Sequence, residues 1–257
     1  MKIIYAIILG AVQGLTEFLP ISSSGHLVLL ENAFGIKGDI VFFDLMLHLG
    51  TLFAVCLFYR KTLWNLIKKP FCPLMRNLVI ATIPTIIIGL IFKDFFVSSF
   101  SGQYLIIGFL ITAIFLTGIQ YIQFNYNLDE NINFVNAFII GMFQGFAIMP
   151  GISRSGSTIT AGIIQGVNKK DSTEFSFLLS IPVILGSCIL KTFDIIKNNI
   201  EINISIISLI CGVISSFIFG IFSIRFMKNI VAKNKYHIFI IYILCLSIGI
   251  LIYQNLS

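Results

Sequence analysis

Charged side chains are scarce in this sequence. Asp, Glu, Lys and Arg make up 11% of 257 residues, where a soluble domain carries about 25%. Hydrophobic residues reach 57% and the mean hydropathy is +0.99. A soluble chain of this length could not hide so much apolar surface. A soluble globular fold is excluded, and an all-α polytopic membrane protein is expected. Acidic residues number 11 against 17 Lys plus Arg. The surplus follows the positive-inside rule; no basic, aromatic-interleaved patch points to nucleic acid. A Walker loop, a GxGxxG fingerprint and zinc-type Cys spacing are also missing. Five scattered cysteines form no CxxC, and four lie in apolar segments, so they read as small apolar side chains. Lys2 followed by Ile3–Val12 imitates a signal peptide, but no A-x-A site follows and a similar stretch recurs mid-chain. It is read as structure.

Six apolar stretches, 41–59, 78–92, 104–124, 175–190, 204–224 and 237–253, have about the length needed to cross a bilayer. Two others, 3–30 and 134–166, are each interrupted by a polar Pro/Gly/Ser-rich centre, FLPISSSGH at 18–26 and MPGISRSGST at 149–158. Each half is too short to span alone. Broken backbone at membrane depth must be buried in protein or line a wet cavity. Both are therefore expected to be re-entrant helical hairpins with tips near the midplane.

The broken stretches are copies of one another. Gly10, Gln13, Gly14, Ser22, Ser24 and Gly25 recur as Gly141, Gln144, Gly145, Ser153, Ser155 and Gly156, each 131 residues on. The expected architecture is a single membrane domain over 1–257, with repeat 1 about 1–128 and repeat 2 about 129–257. Each repeat holds one hairpin and three spans. An odd number of spans inverts the second copy, and sites in inverted repeats sit at the repeat interface. Arg60, Lys61, Lys68, Lys69 and Arg76, and then Arg225, Lys228, Lys233 and Lys235, mark two cytoplasmic loops. Six spans then put both termini outside the bacterial plasma (inner) membrane.

Glu17, His26 and Arg154 sit at or beside the breaks, where an ionisable group costs about 2.5–3.5 kcal/mol on insertion scales and is a functional candidate. Structural readings stay open: a Glu17–Arg154 ion pair, a hydrogen-bonded core histidine, hydroxyls that only cap broken helices. The second tip has the parts of a phosphate cradle. Arg154 supplies a planar fork, a helix start supplies N–H groups, and Ser153, Ser155, Ser157 and Thr158 supply hydroxyls. The first tip, Ser22-Ser23-Ser24-Gly25-His26, offers nucleophiles and an imidazole. Gln13 shares a helix face with Glu17, and the pair could hold a divalent cation or act as a base. Asp44 and His48 share a face and are either a supporting layer or polar groups at a span's outer end. Glu174 reads as a helix-start acid, and Trp64 and His237 as interfacial.

Gln13-Gly14-Leu15-Thr16-Glu17, Pro20-Ile21-Ser22-Ser23-Ser24-Gly25-His26 and Pro150-Gly151-Ile152-Ser153-Arg154-Ser155-Gly156-Ser157-Thr158 resemble the paired signatures of the bacitracin-resistance type of undecaprenyl-diphosphatase. The resemblance covers the whole chain. It implies a membrane phosphatase that turns a polyprenyl diphosphate into the monophosphate, recycling the cell-wall lipid carrier and conferring bacitracin resistance. It implies catalytic roles for Glu17, Ser23, His26 and Arg154. Phosphate contacts are expected from Ser22, Ser24, Gly151, Ser153, Ser155, Gly156 and Thr158. It also implies a divalent cation, Mg²⁺ or Ca²⁺, at Glu17 and Gln13. The nucleophile is Ser23 or an activated water. Expected partners are the lipid diphosphate, the bilayer, bacitracin as competitor for the substrate, and a second copy in a homodimer. The reading from another class is a transporter of anions or lipid phosphates, since inverted repeats with broken helices are also transporter architecture.

Overall fold

The computed structural model describes residues 2–36, 41–121, 132–197 and 204–256. All regular elements among them are helices: α1 (Ile3–Phe18), α2 (Ser23–Ala33), α3 (Val41–Phe58), α4 (Arg60–Lys68), α5 (Pro73–Ile91), α6 (Lys93–Ser99), α7 (Leu105–Tyr121), α8 (Phe134–Phe146), α9 (Arg154–Ile164), α10 (Lys169–Lys197), α11 (Ile206–Ala232) and α12 (His237–Leu256). Both expected breaks are present, between α1 and α2 and between α8 and α9.

Four of the described helices are long and apolar enough to cross a membrane, and five if α3 and α4, bent by 77°, are taken as one span. α7 holds 17 residues, and residues 122–124 of the expected span lie outside the described part. The structure thus gives a multi-pass helical protein with four to five candidate spans, fewer than the six expected. Two charged segments expected as loops are largely helical. Arg60–Lys68 forms α4 beyond the bend, with Leu66 buried and Trp64 57% exposed. Arg225 and Lys228 lie on the last turns of α11, which continues to Ala232. Lys and Arg keep good helix propensity, so positive charge marks where the membrane ends and not where the helix does. α10 starts at Lys169 rather than at 175. Its first-turn acid is Asp171, locked to Asn168, while Glu174 lies further along the helix.

The outside of the bundle is apolar, with Leu90, Ile114, Ile189, Phe193, Ile241 and Ile252 exposed. Inside, large side chains such as Phe18, Phe109, Phe177 and Leu116 form a buried core, and the closest helix crossings rest on small residues, as expected for helices in lipid. A Cβ at Gly10 or Gly14 would run into the carbonyl oxygens of Gly212 and Ser216, so α1 lies directly on the backbone of α11. Ser215 and Ser223 of α11 donate to the Ile7 and Leu15 carbonyls of α1. Gly141 and Gly145 do the same in α8, where a Cβ would strike the Ala81 carbonyl and the Ile88 side chain of α5. The matched glycines therefore make matched helix crossings. The exchange continues outward: α11 also packs on α3, α5 on α10, and α7 on both α9 and α12. Each broken hairpin is held by helices from the other half of the chain, and this brings the two tips together.

Candidate active site

The first tip begins where α1 stops. Leu19 is extended, and Ser22 takes a left-handed conformation, φ +68°. That conformation is unfavourable for a residue with a Cβ, and here three contacts fix it. Ser22 Oγ accepts the Gly25 N–H, as N-cap of α2. It also accepts the Gly151 N–H of the second tip at 3.1 Å. Its carbonyl lies 2.7 Å from His26 Nδ1. Gly151 also has a positive φ, +91°, which glycine adopts freely, and a Cβ there would meet the Leu105 carbonyl of α7. Ser153 caps α9 as Ser22 caps α2, its Oγ accepting the Gly156 N–H at 3.1 Å. Thr112 of α7 seats the second tip, accepting the Ser153 N–H and donating to the Gly151 carbonyl.

Glu17 lies where the tips meet, 7% exposed. Its Oε1 takes the Arg154 Nη2 at 2.5 Å. Its Oε2 accepts Ser23 Oγ at 2.7 Å and Gln13 Nε2 at 2.9 Å. His48 Nδ1 of α3 stands 3.5 Å from the same oxygen and 2.8 Å from Gln13 Nε2. Arg154 spends a second nitrogen, Nη1, on the Ser176 carbonyl of α10. A carboxylate buried this deeply survives only when paired and hydrogen-bonded, and Arg154, Ser23 and Gln13 supply the donors here.

The structure brings Gln13, Glu17, Ser23 and Arg154 into one contact network. It does not bring His26 into it. His26 Nδ1 faces the Ser22 carbonyl, Nε2 lies 2.8 Å from the Tyr242 hydroxyl of α12, and the two rings stack at 5.7 Å. A carbonyl only accepts, so Nδ1 carries a proton, and in the neutral ring Nε2 is then the acceptor for the Tyr242 hydroxyl. The expected cradle hydroxyls mostly face inward. Ser155 Oγ donates to the Leu19 carbonyl of the first tip, Ser157 Oγ to the Ser153 carbonyl, and Thr158 Oγ1 pairs with Ser176 Oγ at 2.6 Å. Ser153, Ser155, Ser157 and Thr158 are each no more than 1% exposed. Ser23, Ser24 and Arg154 are half-buried and line the more open side. Gly156 lies against Pro20 of the first tip.

Several contributors lie outside the motifs. In the sequence His48 stands out only for sharing a face with Asp44. Ser176, Thr112 and Tyr242 carried no signal, because a hydroxyl in an apolar helix does not reveal its partner. Asp44 itself does not reach Glu17; it lies with Glu31 of α2, and Lys191 of α10 is near both. As an oxygen donor for a hard cation Glu17 stands ready, while Gln13 turns Nε2 toward it and leaves its Oε1 buried without a hydrogen-bond partner. No group of three or more His, Cys, Asp or Glu that could hold a metal occurs among the described residues.

Residues 6–250 match the family model described as bacitracin resistance protein BacA. The chain is 41% identical to an undecaprenyl-diphosphatase of Carboxydothermus hydrogenoformans, over 99% of this chain and 98% of the relative. It is 43% identical to undecaprenyl-diphosphatase 4 of Bacillus cereus with the same coverage. It is 40% identical to an undecaprenyl-diphosphatase of Treponema denticola over 98% of each. With a near-complete family match and relatives of this identity along almost its whole length, the chain belongs to the bacitracin resistance protein BacA family.

Proposed function

We propose that this chain is a membrane-embedded phosphatase that hydrolyses undecaprenyl diphosphate to the monophosphate and inorganic phosphate. The observation that carries the reading to particular residues is the Glu17 carboxylate held between the Ser23 hydroxyl and the Arg154 guanidinium, at the junction of two helix starts. The N–H groups that open α2 and α9 favour anions there. Arg154 transfers from Glu17 to the phosphates, forming charge-assisted hydrogen bonds with their oxygens. This frees the carboxylate to take the Ser23 proton. Ser23 Oγ attacks the terminal phosphorus, the P–O bond to the inner phosphate breaks, and the lipid monophosphate leaves. Water then cleaves the phosphoserine, with Glu17 returning the proton to Ser23. Positioning and electrostatics supply most of the catalysis in phosphoryl transfer.

Glu17, with Gln13 bracing its carboxylate through Nε2, would hold a divalent cation of the Mg²⁺ or Ca²⁺ type together with substrate phosphates, the usual arrangement for a cation bound by few protein oxygens. The chemistry such an ion supplies is neutralisation of phosphate charge. The matched glycine crossings support a repeat, and the reading includes its inversion, two re-entrant hairpins, six spans and, from the charges at 60–76 and 225–236, both termini outside the plasma membrane. In this arrangement the prenyl tail lies along lipid-facing helices. Bacitracin competes by sequestering the substrate, and recycling of the carrier feeds cell-wall synthesis. A homodimer is also part of the reading.

The test is phosphate release from undecaprenyl diphosphate by purified protein in detergent, with Arg154→Ala as the control. Detergent removes the two compartments that a transporter needs, so release above the control separates the enzyme from a carrier. No release by the unmodified protein would overturn the reading.

A further inference from the structure

We infer that His48 is a positioning residue for the reaction proposed above: its Nδ1 accepts one N–H of the Gln13 amide and thereby fixes which end of that amide faces Glu17. The inference rests on the phosphatase reading for its kinetic part only.

Gln13 has two amide N–H bonds and is fully buried. Nε2 lies 2.9 Å from Glu17 Oε2 and 2.8 Å from His48 Nδ1. The carboxylate oxygen can only accept. With both N–H bonds in use, Nδ1 also accepts, so the proton of a neutral His48 sits on Nε2. Turning the amide over would place Oε1 against two lone-pair atoms at once, with both N–H bonds left unsatisfied in a buried site. Two acceptors therefore set the orientation, one from α1 itself and one from α3. The same orientation leaves Gln13 Oε1 as a buried, unpartnered oxygen.

His48 is placed for this by its own helix. Its carbonyl accepts the Thr51 hydroxyl at 2.8 Å. Gly50, two residues on, lies so close to α11 that a Cβ would meet the Val213 carbonyl at 2.7 Å. α3 is thus anchored on α11, the helix that also carries α1. The second copy of the glutamine shows what the histidine changes. Gln144 donates to Thr85 Oγ1 at 3.0 Å, a hydroxyl that itself donates to the Gly141 carbonyl. There a hydroxyl on a neighbouring helix holds the amide and Ile148 stands where Glu17 would be. The chain's other histidines cannot substitute: His26 is engaged by Ser22 and Tyr242, and His237 lies exposed at the start of α12.

Full-length protein in detergent is assayed as the parent, as His48→Leu, as His48→Asn and as each in a Gln13→Ala background. The Asn side-chain oxygen takes the place of Nδ1 as acceptor. His48→Leu is expected to lower kcat about tenfold, the loss of one hydrogen bond to a buried group, with KM within about twofold. His48→Asn is expected to recover to within about threefold of the parent, as one acceptor replaces another. In the Gln13→Ala background His48→Leu is expected to add less than about a twofold effect, because coupled residues are not additive. The inference is overturned if His48→Leu melts normally and turns over like the parent, if His48→Asn is as slow as His48→Leu, or if the effects multiply. Should His48→Leu not fold, His48→Ala, which also removes the acceptor, takes its place in both backgrounds. A parent protein that releases no phosphate overturns the functional reading and not the geometry. The geometry is read separately from the ¹⁵N spectrum of the imidazole: protonation at Nε2 supports it, and protonation at Nδ1 overturns it.

Discussion

Ser23 Oγ donates to Glu17 Oε2 at 2.7 Å across the break between α1 and α2. Six residues separate them, yet they belong to different helices, and the carboxylate's other oxygen is held by Arg154 from the opposite hairpin. One buried group thus faces the candidate nucleophile and the candidate phosphate clamp together.

Arg154→Lys keeps the charge and loses the fork that reaches Glu17 and the Ser176 carbonyl together. Lysine offers a point charge without planar, two-armed geometry. Turnover of undecaprenyl diphosphate should fall roughly 30-fold, equivalent to about 2 kcal/mol. A variant that purifies normally and works within about threefold of the parent would remove Arg154 from the clamp.

Glu17→Gln should abolish turnover and also lower thermal stability. It leaves Arg154 without its counter-charge, and breaking a buried pair costs about 3–5 kcal/mol. Gln13→Ala should only weaken turnover, since Glu17 keeps Ser23 and Arg154. Phosphate release and a melting curve on each variant check this; a Glu17→Gln protein with near-normal activity contradicts the base role.

The three serines of the first tip should separate. Ser23→Ala should remove activity at a stability cost no larger than that of its one hydrogen bond to Glu17, about 1.5–3 kcal/mol, and a phosphoserine should be trappable on Ser23 in the parent. Ser22→Ala removes the N-cap and the bond to the Gly151 N–H, so stability should fall by about 1–2 kcal/mol. Ser24→Ala should do least, its hydroxyl standing 3.4 Å from Ser22 Oγ. Equal, mild losses at all three would point to an activated water.

The matched glycines make a stability prediction. Gly10→Ala and Gly141→Ala drive a methyl into a carbonyl of the neighbouring helix, and overpacking of this kind costs about 1–3 kcal/mol. Gly186→Ala and Gly249→Ala meet nothing within 4 Å and should hold or raise the melting temperature. Like behaviour of all four would mean that the close crossings are not what holds the bundle.

Orientation can be read with single cysteines at Ser101 and Asn229, both exposed, in a background with the five native cysteines replaced. In intact cells a membrane-impermeant thiol reagent should label position 101 and not 229. The opposite pattern would invert the topology and turn the opening of the first hairpin to the cytoplasm.

The membrane class, both helix breaks and the residues Gln13, Glu17, Ser23 and Arg154 are legible in the sequence. Each is written locally, in an apolar run, a Pro/Gly/Ser interruption, or an ionisable group where lipid would penalise it. Contacts that depend on which helices cross are not. Nothing near His26 in the chain says that Tyr242, 216 residues away, engages its Nε2, which leaves Glu17 as the group beside Ser23. Nothing near Ser155 and Thr158 says that their hydroxyls turn toward Leu19 and Ser176. Nor does the charge of 225–236 show that α11 runs on as far as Ala232. A hydrogen bond's strength falls steeply with distance and angle, so partner choice is decided by helix crossings of a few ångströms. Those crossings are set by glycines whose contacts lie on helices far along the chain, as Gly10 and Gly14 of α1 meet Gly212 and Ser216 of α11.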